Sequence, residues 1–457
     1  MNRIPPYIAR AREIQQQVGE SREKFAAVFQ DIYAGTTNFQ EELVPAYDIP
    51  SPLTGADGKR VCTAVQWMNF RRREVLELFE KEIYGSPVPR PERMRFEVLS
   101  EKEDALKGKA VRREVRICCY QGEKFFSFDL LLYLPKHITR PVGAFIGLNF
   151  KGNHGCTAET DVLMTPSRFN DGQINAVTSQ TPEFFAEKQR GVQAYRWCFE
   201  EIIDRGYAAA TICYEDIFPD TPDGWQTSCF SLWGDWNGYN GAHEKYSAVG
   251  AWAWGLSRGM DYLESVPQID REKVFLHGHS RLGKTALWTG ALDTRFAMVI
   301  SNDSGCLGAA LSRRMFGENF FILVNYRPHW FVKNARKYIN REYEMPFDQH
   351  WLISLAAPRP VAVASAWDDH GADPRGEFLS ALWAGEVYAL FGSQGLPCHK
   401  MPIPGQFVTG DISYHIRAGR HDQTPEDWAH YLEIADKLLC QRDQRDFAQE
   451  KRRKQDV

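Results

Sequence analysis

Apolar residues recur at helical spacing in two stretches before residue 90. The first runs from about Ile8 to Tyr33. The second runs from Val65 to Tyr84, where Phe70, Val75, Leu76, Phe79 and Ile83 recur at helical spacing. A turn-rich link through Pro45, Pro50 and Pro52 separates them, and Pro87, Pro89 and Pro91 close the second. The pattern then changes to short, β-rich segments. Met94–Ser100, Ala110–Tyr120 and Phe125–Leu134 are divided by charged turns, which predicts consecutive antiparallel hairpins. Beyond Pro135 come almost unbroken apolar runs such as GAFIGLNF and YAAATICY, the requirement of a strand covered on both faces. They predict strands at Gly143–Phe150, Tyr207–Tyr214, Lys273–His279, Ala297–Asp303, Pro360–Asp369 and Cys398–Ile403. Long helical stretches between these strands imply parallel crossovers with helices on both sides of the sheet.

The expected fold is α/β, a three-layer sandwich whose mostly parallel central sheet is led by antiparallel hairpins. Residues 1–60 are expected to form an N-terminal helical extension and 61–440 one large domain, with 151–200 added around it. Residues 441–457 read as a charged, solvated C-terminal tail.

Composition narrows the class. Of 457 residues, 43% are hydrophobic and 25% charged, ample for a large core and too apolar for disorder. The 55 Lys and Arg against 59 Asp and Glu leave a net charge of −4, without the basic excess of a nucleic-acid binder. Mean hydropathy is −0.44. No apolar run approaches the roughly 18–20 residues of a membrane span, so neither nucleic acid nor a membrane span is expected. Ten cysteines without a CxxC pair read as mostly reduced, buried thiols, with one or two bridges left open. The N-terminal MNRIPPYIARAREIQQQVGE has no apolar signal region. The compartment therefore stays open between the cell interior and export with the signal already removed.

The segment richest in chemistry is LHGHSRLGKTALWTGA, residues 276–291. An apolar strand runs into Gly278-His279-Ser280-Arg281-Leu282-Gly283-Lys284 and on into a helix. Glycines on both sides of a serine at such a turn permit the tight elbow that exposes Oγ in an α/β-hydrolase. The same turn aims backbone N–H groups at a developing oxyanion, with Arg281 N–H the first candidate. The second glycine stands one residue later than in GxSxG, and Arg281 fills its usual place. In this fold the acid and the histidine follow the serine in chain order. His421 in RAGRHD is the expected base, with His415 as competitor or loop brace. Asp369 and Asp303, each ending a predicted strand, compete as the acid; Asp368 and Asp373 read as cap or turn residues. His277 and His279 lack a third ligand at metal spacing and read as structural, so no metal and no cofactor is expected.

GHSRLGK resembles the GxSRxGK signature of the glucuronoyl esterases, carbohydrate esterase family fifteen, which have an α/β-hydrolase fold. The similarity continues through SNDSGCLGAALSRR (301–314), MPFDQHWLISLAAPRPVAVASA (345–366), DPRGEFLSA (373–381) and YHIRAGRHD (414–422). GLNFKGNHG (147–155) and VGAWAWGLSRGMDYLE (249–264) resemble bacterial members, so the likeness spans most of residues 140–430. The first hundred residues carry no motif of the family.

The resemblance implies a serine carboxylesterase without cofactor, cleaving (4-O-methyl-)glucuronic acid esters through an acyl-enzyme. Its partner would be a uronic-acid-containing polysaccharide or a lignin–carbohydrate ester, as in glucuronoxylan. It further implies that the Arg281 guanidinium bonds the oxyanion. Lys284, expected at the rim one turn beyond Ser280, and Glu318 would bond sugar hydroxyls. Fungal members carry Glu-Ser-Gly where Asp303 stands before Ser-Gly here, whereas many bacterial members place the acid at Asp369. Bacterial members often have a sugar-packing Trp before Ala-Asp-Pro; this chain has His370-Gly371 there. Trp367, or a residue of FSLWGDWNGYN (230–240), is the candidate replacement. The alternatives are an acetylxylan or other carbohydrate-ester esterase of the same fold, or an inactive carbohydrate-binding relative. The complete Ser280, Arg281 and His421 set argues against inactivity.

Overall fold

A computed structural model of the chain describes residues 5–19, 21–165, 187–234 and 243–455. Its strands are β1 (Arg93–Asp104), β2 (Ala110–Gln121), β3 (Lys124–Pro135), β4 (Val142–Asn149), β5 (Ala208–Cys213), β6 (Ile269–His279), β7 (Met298–Asn302), β8 (Val361–Ala366), β9 (Gln406–Val408) and β10 (Ile412–Arg417). They form one ten-stranded sheet in the order β1-β2-β3-β5-β4-β6-β7-β8-β10-β9. The hairpins β1–β2–β3 join β5 antiparallel, the six strands from β5 to β10 run parallel, and the short β9 turns back at the edge. β5, β7, β8 and β10 are buried at every residue, which is why their sequences are apolar without alternation.

The helices that bear on the site are α1 (Pro6–Val18), α2 (Arg22–Thr36), α3 (Ala248–Leu263), α4 (Arg281–Leu292), α5 (Phe320–Tyr326), α6 (Pro374–Ala389) and α7 (Pro425–Gln455). Trp252, Leu287 and Phe378 of α3, α4 and α6 pack in the core on one face of the sheet. On the other, Trp428 and Tyr431 of α7 join Phe199, Phe145 and Phe275 in a separate cluster. Two cores flank one sheet, the three layers expected. No helix among the described residues is long and apolar enough to cross a membrane. Among the described residues no two cysteines are joined in a disulfide.

Three elements depart from the sequence reading. Cys398–Ile403 is not a strand: Pro402 lies within it and Pro397 and Pro404 flank it, and proline has no N–H to give to a ladder. The last central strand is instead β10, ISYHIR, which lies outside every strand expected from the sequence. The helical stretch from Ile8 to Tyr33 is two helices, broken at Gly19 with φ +61° and restarted where Ser21 Oγ accepts from Lys24 N–H. The segment Ala64–Tyr84 contains two π-helical turns, Trp67–Arg71 and Glu80–Tyr84. Val75, Phe79 and Ile83 line one face and are fully buried, while Phe70, nine residues before Phe79 and so about half a turn round the helix, is 67% exposed. The backbone of α7 remains helical to Gln455, through most of the charged C-terminal stretch.

Candidate active site

Each of four parallel strands delivers one candidate residue at its carboxyl end, the crevice side of an open α/β sheet. Register aligns them. His279 of β6 pairs with Asn302 of β7, Asn302 with Ala364 of β8, and Ala366 of β8 with Arg417 of β10. Ser280, Asp303, Asp369 and His421 follow these strand ends. Pairing continues past the strands: Asp303 N–H donates to the Ala364 carbonyl at 2.8 Å, and Asp368 N–H to the Gly419 carbonyl at 2.9 Å. The loop after β8 is thereby tied to the loop after β10.

Ser280 sits at φ +59° and ψ −129°, a conformation that costs a non-glycine residue about 1–3 kcal/mol. Its N–H donates to the Asn302 carbonyl at 2.9 Å and its carbonyl accepts from Gly283 N–H at 2.8 Å. Both neighbouring glycines answer to close approach. A Cβ on Gly278 would stand 2.0 Å from the Leu282 carbonyl oxygen, and one on Gly283 would stand 2.9 Å from Ser304 Cβ. The late second glycine is thus the point where α4 lies against the exit of β7.

His421 Nδ1 lies 2.6 Å from Asp369 Oδ2. The His421 ring is 4.6 Å from the ring of His279, the residue before Ser280. Asp303 is buried, and one of its oxygens, one of Asp369 and a ring nitrogen of His421 lie within 4.8 Å of one another. Both acids therefore stand near the same histidine, with Asp369 at hydrogen-bond distance from it. Burial first, and the Asp369 charge second, push the Asp303 carboxyl well above the usual range, against the pull of Arg417. These donors are also close enough to suggest a cation site. Tetrahedral ligands with bonds of about 2.0–2.2 Å stand more than ~3 Å apart, so the 2.6 Å contact is a hydrogen bond rather than shared ligation.

Arg417 organises the histidine loop. It donates to Asp303 Oδ2 at 3.2 Å, to Asp427 Oδ2 at 3.0 Å, and to the carbonyls of Ala418 at 3.1 Å, Arg420 at 2.9 Å and Asp422. His415, buried in β10, has Nε2 2.8 Å from Asp427 Oδ1 and braces this network from behind. His277 is enclosed by Trp197 and Trp428 and held down to about 3 by burial, as suits a structural ring. His279 Nδ1 contacts Asn302 Oδ1 at 2.6 Å.

The Arg281 guanidinium does not stand alone. Its Nη1 is paired with the fully buried Asp220, which also accepts from Trp330 Nε1 at 2.6 Å and lies 2.8 Å from His329 Nε2. Trp330 and Phe150 flank it, with ring centroids 4.7 and 5.7 Å from Cζ. Burial works against the Arg281 charge, but Asp220 outweighs it and raises the pKa. Arg281 Nε–H is buried without an acceptor among the described residues. An unpaired buried donor of this kind costs about 1–3 kcal/mol, and more when charged, so a negative oxygen arriving beside it is favoured.

Lys284 is not at the rim. It is 3% exposed, and Nζ donates to the Ser304 carbonyl. The i+4 position faces the exit of β7 because Gly283 lets α4 approach it. Burial lowers the Lys284 pKa and the nearby Glu318 charge opposes that shift. Glu318 is half-buried, its N–H bonded to the Gly371 carbonyl at 2.9 Å. Trp367 is 46% exposed just past β8. Of the 230–240 segment, Phe230 and Leu232 are buried in the core and residues 235–240 lie outside the described residues.

Sequence reasoning missed several residues. Glu377 of α6 accepts from the N–H groups of Ser304 and Gly305 at 2.8 and 2.9 Å and from Ser365 Oγ at 2.6 Å. Burial pushes its carboxyl up to about 8. A lone carboxylate in the apolar GEFLSALWAG was its only signal. Asp220 lies among the acids of YEDIFPDTPDG and Asp427 in the first turn of α7, and no local pattern sets either apart.

The family model described as glucuronyl esterase, fungi, matches residues 233–392. The protein named carbohydrate esterase MZ0003, from an unknown prokaryotic organism, is 43% identical over 418 residues, 89% of this chain and 93% of its own. The solved glucuronoyl esterase from Solibacter usitatus is 42% identical, with a TM-score of 0.79 over 87% of this chain and 99% of that one. A 4-O-methyl-glucuronoyl methylesterase of Podospora anserina is 35% identical over 361 residues, 77% of this chain and 59% of its own.

Proposed function

The chain belongs to the glucuronoyl esterases, carbohydrate esterase family 15, and from this premise we propose a serine carboxylesterase that hydrolyses esters of (4-O-methyl-)glucuronic acid. One observation carries the reading of the site: His421 Nδ1 meets Asp369 Oδ2 at 2.6 Å on loops bonded together beside the Ser280 turn.

In this reading Ser280 Oγ attacks the ester carbonyl carbon while His421 Nε2 takes its proton. Asp369 on Nδ1 keeps the tautomer that leaves Nε2 free and faces the imidazolium that forms. Negative charge on the tetrahedral oxygen is met by Arg281 N–H and by its unpaired Nε–H; one such donor contributes about 2.7–4 kcal/mol. Collapse breaks the bond to the alcohol oxygen, which receives the proton from His421. Ser280 now carries the glucuronoyl group as an ester. Water, deprotonated by His421, attacks that acyl carbon, and the uronic acid departs as Ser280 regains its proton. The wider substrate of this reading is a glucuronoxylan branch esterified to a lignin alcohol.

Turnover of benzyl glucuronate, compared with acetylated xylan and p-nitrophenyl acetate, tests the assignment. The expected result is a kcat/KM on benzyl glucuronate well above that on either acetate. Acetylated xylan as the preferred substrate would make the protein a deacetylase, and no turnover of any ester would make it a binding protein.

Lys284 serves the sugar through Glu318, since its own ammonium is covered. Lys284→Met is expected to lower kcat/KM for benzyl glucuronate about tenfold, and clearly more than for p-nitrophenyl acetate. Equal losses on both esters would show that Lys284 supports the Ser304 turn instead.

A further inference from the structure

The N-terminal hairpin α1–α2 carries no family motif, yet it is built into the edge of the site. Phe25 packs on Phe321 of α5 at 5.4 Å, and Phe29 stacks on Tyr326 at 4.3 Å. The end of α2 is bonded to the chain on both sides of Glu318. Gly317 N–H donates to the Asn38 carbonyl at 2.7 Å, and Asn319 Nδ2 to the Thr36 carbonyl at 2.9 Å. Glu318 N–H in turn holds the Gly371 carbonyl of the loop that carries Asp369.

Tyr33 stands one turn before these contacts, with its backbone carbonyl accepting from Thr37 Oγ1 at 2.7 Å. A Cβ at position 371 would lie 3.6 Å from Asp369 Oδ1 and 3.8 Å from the Tyr33 hydroxyl oxygen. Both polar groups thus approach one point beside the His421 partner. Gly371 has no positive φ, so its missing side chain meets no backbone need; it leaves room next to the phenol. Burial first, then the charges of Glu318 and Asp369, raise the phenol pKa, so it stays protonated and able to donate. Among the described residues nothing accepts from that hydroxyl. The aromatic wall continues outward through Phe39, 41% exposed and paired edge-on with Phe316 at 6.4 Å.

We propose that Tyr33 is a substrate-binding residue of the esterase site, its hydroxyl donating a hydrogen bond to an oxygen of the glucuronoyl sugar beside Glu318. The N-terminal extension then sets specificity rather than only capping the domain. The inference rests on the glucuronate-ester reading above.

The test is steady-state kinetics of Tyr33→Phe on benzyl glucuronate and p-nitrophenyl acetate, with melting curves. Phenylalanine keeps the ring contacts with Phe29 and Phe39, so the melting temperature is expected to hold. KM for benzyl glucuronate should rise about three- to tenfold with kcat within twofold, while KM for p-nitrophenyl acetate, which has no sugar oxygen, rises less. Gly371→Leu, filling the same space, should raise the glucuronate KM as well. An unchanged glucuronate KM in Tyr33→Phe, with wild-type turnover intact, overturns the Tyr33 assignment alone. Parallel losses on both esters with a lower melting temperature overturn it in favour of packing. A wild-type protein inactive on benzyl glucuronate overturns the function reading and this inference together.

Discussion

Ser280→Ala is expected to lower kcat/KM for benzyl glucuronate by about 10⁴–10⁶-fold and to leave the fold intact. Without Oγ no acyl-enzyme forms. His421 and the Arg281 donors then act only on a bound ester and water, which leaves the residual catalysis that positioning and an oxyanion site provide. Stability should barely change. The turn is held by backbone bonds, from Ser280 N–H to Asn302 and from Gly283 N–H to Ser280, and alanine keeps both. Alanine at φ +59° bears the same backbone strain as serine, so the strain does not discriminate between the variants. Kinetics and a melting curve on the same preparation make the check. More than a tenth of wild-type turnover, with unchanged melting, would remove Ser280 as the nucleophile.

Asp369→Asn is expected to cost about 10²–10⁴-fold in kcat/KM, and Asp303→Asn less than about tenfold. The amide can turn its NH2 toward Nδ1, which favours the tautomer with its proton on Nε2, the wrong one for a base. With a single acid the loss would sit at the upper end of that range. Here a second carboxyl lies within 4.8 Å and can turn toward the ring, which softens the single substitution. Asp303 is the poorer partner: it is buried, its carboxyl is pushed up, and Oδ2 is engaged by Arg417 at 3.2 Å. Asparagine at 303 keeps an oxygen for Arg417, so the histidine loop should hold its place. The double variant should fall further than the two single losses combined in free energy, because each acid covers for the other. The measurement is kcat/KM on benzyl glucuronate for both singles and the double. If Asp303→Asn is neutral and the double equals Asp369→Asn, the site has one acid and Asp303 only anchors Arg417.

The nucleophile turn is legible in the chain because its demands are local. Gly278, Ser280 and Gly283 lie within six residues, and each answers to an atom in the same turn or the next strand end. The buried parallel strands are legible for a similar reason, since being covered on both faces removes polar positions from a short run. The prolines of LPCHKMPIPG mark it as no strand, yet apolar content draws the eye there and away from ISYHIR. No local pattern marks the pairs that shape the site. Asp220 meets Arg281, Arg417 links Asp427 to Asp303, and Tyr33 reaches the surroundings of Asp369 across most of the chain. Helical phase puts Lys284 on the side of α4 that carries Ser280, but burial came from what packs against that side. These neighbours are set by strand order, register and the docking of α2 on α5. Such contacts exist only once the sheet has assembled, because each partner's own segment is equally well formed without the other.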